Sequence, residues 1–174
     1  MAVFNVIAHT ELSSTAATVD FSSIPSSYDH LYIRLSARSN AVATRDTIFC
    51  RVNNDSNTKY SRTNLFAGST TMSSYDGGSQ ALWYDFMDIP AHSLLSDAYS
   101  GGIIWIPNYS NTSYYTQALT YSATVSDSTT DYHWGMQNVS ALYKETAAVS
   151  RLTFSLQTGS YMPYSVFTIY GVQA

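Results

Sequence analysis

The strongest constraint on the fold is a period-two pattern near the C-terminus. In Arg151–Gln157, Leu152, Phe154 and Leu156 fall on one side, with Arg151, Thr153, Ser155 and Gln157 on the other. A pleated strand produces that alternation and a helix of 3.6 residues per turn does not. The next run, Tyr164–Gly171, sets Val166, Thr168 and Tyr170 against Phe167 and Ile169. Gly159 and Pro163 punctuate the segment between them. The pattern predicts two adjacent strands joined by a short loop.

The same signature recurs upstream. Strands are expected over Phe4–His9, Ala17–Phe21, Asp29–Ser36 and Asp46–Val52. Asn53-Asn-Asp-Ser-Asn57 is a dense turn signal, because Asn and Asp tolerate left-handed backbone and bond to it locally. A hairpin partner is expected to follow from Thr58 to Phe66. Gly68–Ser79, with its Gly77-Gly78 pair, reads as a polar loop. Leu82–Ile89 reads as a strand ended by Pro90, and Ala91–Tyr99 is left open between a helical turn and a loop. Gly102–Ile106 is a continuous apolar run stopped by Pro107, as expected of a strand buried on both faces or lying at an interface. Asn108–Ser113 is a turn, Tyr114–Ala123 and Tyr132–Tyr143 are strands, and Ser126–Asp131 is the polar tip between them. Roughly eight to ten short strands without an amphipathic helix imply an all-β fold, a jelly-roll-like β-sandwich of two antiparallel sheets. The expected domain organisation is a single β-sandwich spanning residues 1–174.

The composition bears on what such a sandwich does. Hydrophobic residues make up 45% of the chain, as in globular proteins, but charged residues only 11%, against about 25% in an average domain. The polar surface must therefore be built from Ser, Thr, Asn, Gln and the hydroxyls of 15 tyrosines. Tyr suits a surface that is to be covered by neighbours. A net charge of −4 with scattered basic residues gives no stripe to neutralise phosphates, so no nucleic-acid partner is expected. No apolar run approaches a membrane span and the N-terminus has no signal-peptide pattern, so synthesis in a cytoplasm is expected, with no membrane partner. The sequons at Asn54, Asn108, Asn111 and Asn138 are then incidental. The single cysteine, Cys50, rules out an intrachain disulfide and reads as a buried small hydrophobe in a strand.

Residues that carry chemistry are sparse. His9, His30, His92 and His133 show no metal-ligand spacing to one another or to Cys50. There is no Gly-X-Ser-X-Gly elbow, phosphate-cradling loop or His-Glu-X-X-His. Two carboxylates suffice for glycoside hydrolysis. Asp85 and Asp88, however, are three apart in a strand-like segment and are expected to face opposite ways. Asp55 belongs to the turn. No catalytic, metal or cofactor residue is assigned, and no enzyme activity is expected. The remaining signal is aromatic: Tyr109, Tyr114, Tyr115, Tyr132 and Trp134 gather around a predicted turn and tip. They suit a stacking platform for a neutral sugar ring, or alternating core and subunit-interface positions.

Several segments resemble structural proteins of tailed-bacteriophage virions. They are Ile24-Pro-Ser-Ser-Tyr-Asp-His-Leu-Tyr-Ile-Arg-Leu-Ser-Ala-Arg-Ser39, Asp46-Thr-Ile-Phe-Cys-Arg-Val-Asn-Asn-Asp55, Tyr60-Ser61, Ile104-Trp-Ile-Pro-Asn-Tyr-Ser-Asn-Thr112, Ser150-Arg-Leu-Thr-Phe154 and Tyr164-Ser-Val-Phe-Thr-Ile-Tyr-Gly171. The similarity covers over half the chain and does not extend to 67–80 or 124–138. The family comprises capsid decoration or cement proteins, head fibres and tail-fibre-tip modules, β-sandwiches that often trimerise. The resemblance implies a capsid decoration protein on the virion exterior, a homotrimer contacting the major capsid protein or other virion proteins. A start at Met1 and the lack of coiled-coil heptads or a repeated shaft favour cement over fibre. The alternative is a carbohydrate-binding receptor-recognition module of a head or tail fibre, with a host glycan as partner and Tyr114, Tyr115 and Trp134 as contacts.

Overall fold

The computed structural model describes residues 3–68, 71–93, 96–124 and 135–173. Twelve strands and no helix occur among them. In chain order these are β1 (Val3–Glu11), β2 (Thr18–Phe21), β3 (His30–Ala37), β4 (Arg45–Val52), β5 (Tyr60–Gly68) and β6 (Thr71–Gln80). They continue as β7 (Trp83–Pro90), β8 (Ser100–Pro107), β9 (Thr116–Thr124), β10 (Gly135–Tyr143), β11 (Leu152–Leu156) and β12 (Val166–Gln173). An eight-stranded sheet runs β1-β12-β3-β8-β9-β10-β5-β6, and a four-stranded sheet runs β2-β11-β4-β7. All pairings are antiparallel. The expected jelly-roll-like sandwich is what forms.

The core lies between the sheets and is built from alternate residues. Ile33 of β3, Ile104 of β8 and Ile169 of β12 are fully buried on the large sheet, facing Ile48, Cys50 and Phe154 of the small one. Aromatic contacts tie the layers together: Phe154 stacks on Phe167 at 5.8 Å, and Tyr60 meets Trp83 edge-on at 5.8 Å. Within the layers, Trp83 stacks on Phe86 at 5.0 Å along β7, and Tyr60 on Tyr143 at 4.7 Å between β5 and β10. Burial drives the Cys50 thiol up, leaving it an inert filler. Gly102 leaves room for the end of the Met87 side chain, which a Cβ there would displace.

Three expectations are corrected. β11 and β12 do not pair: they lie in opposite sheets, and their alternating apolar residues meet across the core. β4 and β5 likewise are not a hairpin, because the turn between them carries the chain from the small sheet to the large one. Its residues adopt left-handed backbone, φ 50° at Asn53 and 57° at Asn54, and the Asn53 side-chain oxygen accepts from the Ser150 and Arg151 amides at 2.8 and 3.1 Å. Gly68–Ser79 is largely strand β6, paired along β5 at the sheet's end. An edge strand with polar residues on both faces has no hydrophobic alternation to betray it. Ser126–Asp131 lies outside the described residues.

Asp55 holds the β4–β5 turn. Its carboxylate accepts from the Asn57 amide at 2.9 Å and from the Tyr143 hydroxyl at 2.8 Å. These bonds and Lys59, working against burial, hold its pKa near 2 instead of 3.8. A depressed folded pKa stabilises above 3.8, and that contribution disappears as pH falls through about 2. Asp55→Ala should therefore lose stability at neutral pH and show a weaker further loss across that acid range, read from urea midpoints against pH. A Phe154→Ala variant should lose about 3–5 kcal/mol in the same titration, since it empties the aromatic junction between sheets.

Candidate functional site

The outward face of the large sheet carries what the core does not use. Along β9, Thr116, Ala118, Thr120, Ser122 and Thr124 point inward, which leaves Gln117, Leu119, Tyr121 and Ala123 outward. Register continues that outward row through paired residues: Ile103 opposes Tyr121, Asn138 opposes Tyr121 on the other side, and Leu65 opposes Asn138. Tyr121 is 51% exposed and Met136 61%. On the other half of the face, an aromatic chain crosses four strands. Phe4 meets Tyr32 at 5.6 Å and Tyr170 at 6.4 Å, Tyr32 meets Trp105 at 6.4 Å, and Trp105 meets His30 at 4.8 Å. The Gly102–Ile106 run is thus not buried on both faces: Ile104 and Ile106 enter the core, while Ile103 and Trp105 lie half-buried outside.

The five aromatic residues singled out from the sequence do not form one platform. Tyr109 is a core residue, its hydroxyl donating to the Pro25 carbonyl, and cannot stack on a ligand. Tyr114 and Tyr115 are about half exposed just before β9. Tyr132 and Trp134 lie outside the described residues. The missed residues, Phe4, Tyr32 and Tyr170, come from three strands far apart in the chain. Their signal was the second, aromatic face of strands already recognised by their aliphatic face.

A second feature arises at the sheet edge. The small sheet ends at β7, which packs chiefly over β9, less over β10 and less again over β5. β5 and β6 therefore overhang. Between their inward side chains and the β7 edge lies a cleft of about 440 Å³. Asp85 and Asp88 both line it, contrary to the expectation that they face opposite ways. The reason is a bulge: Ile48 pairs with Met87 but Cys50 with Trp83, so β7 carries two extra residues there, with Asp85 at φ 44°. Each carboxylate has its own arginine, Asp85 with Arg62 and Asp88 with Arg45. Arg45 also lies over the Phe66 ring at 5.0 Å.

His9 and His30 serve the scaffold. His9 Nδ1 bonds the Thr168 hydroxyl at 2.9 Å, and His30 Nδ1 accepts from the Asn108 amide at 3.0 Å. Among the described residues no three His, Cys, Asp or Glu side chains converge as a metal-ligand set.

What these features define as a class is an all-β sandwich with one apolar outer face and one polar edge cleft. Comparison with family models and with curated proteins finds no match. Among solved structures, the chain is similar to the CBM40 module of Ruminococcus gnavus IT-sialidase bound to α2,3-sialyllactose, at 8% identity and TM-score 0.34, covering 97% of this chain and 92% of that one. The same module bound to α2,6-sialyllactose gives 9% identity and TM-score 0.34, covering 95% and 93%. Values this low carry no ligand or activity across.

Burial raises the Asp88 pKa above 3.8, with Arg45 and Thr47 opposing it. An acid whose folded pKa is raised loses stabilisation as pH climbs from its unfolded value through its folded one. Asp88→Asn should keep a partner for the Thr47 hydroxyl and flatten that limb of the stability–pH curve. Identical curves for wild type and variant would show that Asp88 is not the titrating group.

Proposed function

We propose that the chain is a non-enzymatic structural protein of a phage virion, a capsid decoration or cement protein that acts as a homotrimer on the outer capsid surface. The observation that supports this most is the outer face of the large sheet. It spreads Phe4, Leu65, Leu119, Tyr121 and Met136, all exposed, across a surface with few charges. Contiguous exposed apolar surface of this kind is a feature of interaction sites and is uncommon on solitary monomers. Aromatic residues and Met are the types enriched at interfaces, and Lys and Glu are depleted there. The segment resemblance to virion proteins supports the same reading. The mechanism is adhesion: a rigid sandwich presents a preformed surface, and many copies on one shell add weak contacts into a strong whole.

Tyr121 tests this directly, because its exposed ring can be changed without disturbing the core. Tyr121→Glu should leave the melting of the isolated protein unchanged and weaken binding to stripped capsids by about 30-fold or more, the scale of a hot-spot residue worth about 2 kcal/mol. Capsids that regain heat and osmotic-shock resistance with wild type but not with the variant would support the role. Stripped particles that melt as intact ones do would overturn it.

A further inference from the structure

The edge cleft has a chemistry that adhesion by the outer face does not use. Asn64 on β5 and Gln137 on β10 point into the overhang and are only 4% and 3% exposed. Gln137 Nε2 donates to the Asp85 carbonyl at 3.0 Å, but the carboxamide oxygens of Gln137 and Asn64 accept no hydrogen bond from any described residue. Beside them, Arg62 commits Nε to the Tyr84 carbonyl and Nη2 to Asp85, which leaves Nη1 without an acceptor among the described residues. A buried polar atom left unpaired costs about 1–3 kcal/mol. Three such atoms in and beside one cleft point to a missing partner.

The unpaired set holds two acceptors and one donor. An anion would satisfy Arg62 Nη1 but would face Asp85 and Asp88. An ammonium would satisfy the two amide oxygens but would face Arg45 and Arg62. A hydroxyl both donates and accepts, and it meets a cleft whose charges already cancel in Arg45–Asp88 and Arg62–Asp85 pairs. At the mouth, on edge strand β6, the Tyr75 ring is 57% exposed and offers an apolar face. The volume lies within the roughly 300–1,000 Å³ of small-molecule sites.

We propose that this cleft is a saccharide site that takes a neutral hexose ring, its hydroxyls on Asn64, Gln137 and Arg62 and its C–H face on Tyr75. The site is independent of the virion role: it lies on the inner side of β5 and β6, and the adhesive residues lie on the outer side.

The test is a titration of the full, ¹⁵N-labelled chain, following the side-chain amide signals of Asn64 and Gln137. The probes are methyl hexosides of gluco, galacto and manno configuration and the methyl glycoside of N-acetylglucosamine, each to about 100 mM, a range that captures millimolar affinities. Glycerol and methyl glucuronide serve as comparators. At least one neutral hexoside should shift both amide signals saturably, whereas glycerol, which lacks the ring, and the glucuronide, which adds a carboxylate, should not. Tyr75→Ala, with an unchanged backbone spectrum, should bind at least tenfold more weakly, and Gln137→Leu likewise. No saturable shift with any hexoside, an equal response to glycerol or glucuronide, or undiminished binding by Tyr75→Ala would each overturn the proposal.

Discussion

The structure depends on a mismatch in width: eight strands stand against four. A sheet hides its apolar face only where another layer covers it. Where the small sheet lies over the large one, the inward positions are Ile33, Ile104, Val139, Phe167 and Ile169, as burial requires. Past β7 the cover ends, and the inward positions of β5 change from Tyr60 to Arg62 and Asn64. Composition along a single strand follows the edge of the layer above it. The cleft therefore belongs to the architecture and is no accident of loop conformation.

This also marks where the sequence was legible. Strands buried on one face announced themselves, because aliphatic residues at every second position form a stripe only on a pleated backbone: Leu31, Ile33 and Leu35 in β3, or Leu152 and Phe154 in β11. Which strands pair with which was not legible. Alternation reports a face and is silent on the neighbour, so β11 and β12 looked like a hairpin although they sit in opposite sheets. β6 was missed outright, since its ladder to β5 is a matter of backbone hydrogen bonds and its side chains mostly meet water. The bulge in β7 was invisible for a related reason. A left-handed aspartate leaves no periodic trace, yet it decides that Asp85 and Asp88 share a cleft.

The aromatic content divides along the same lines. Tyr60, Trp83, Tyr109, Tyr143 and Tyr161 are fully buried, and each places its polar atom on a backbone or side-chain partner: Tyr60 on Val52, Trp83 on Leu142, Tyr109 on Pro25, Tyr143 on Asp55 and Tyr161 on Ser155. A phenol or indole is tolerated in a core only on that condition. The second group, Phe4, Tyr32, Trp105, Tyr121 and Tyr170, lies on the far side of the large sheet, and its members are exposed or half-buried. Count alone does not separate the two groups. Strand parity does, once the inward face is known.

Parity also lets one thin element serve two surfaces. On β5, Asn64 faces the cleft while Leu65, the next residue, is exposed on the outer face and pairs across to Asn138. The side-chain period of two places neighbours in sequence on opposite sides of a sheet one residue thick. A substitution at Leu65 therefore alters the outer surface without touching the cleft wall, and one at Asn64 does the reverse. Had the overhang been only a filler, aliphatic residues at 64 and 137 would have spared two buried, unpaired oxygens. The chain instead keeps polar amides there, on strands whose other inward residues include Val139 and Ala141 in the core, as an overhang with a ligand of its own requires.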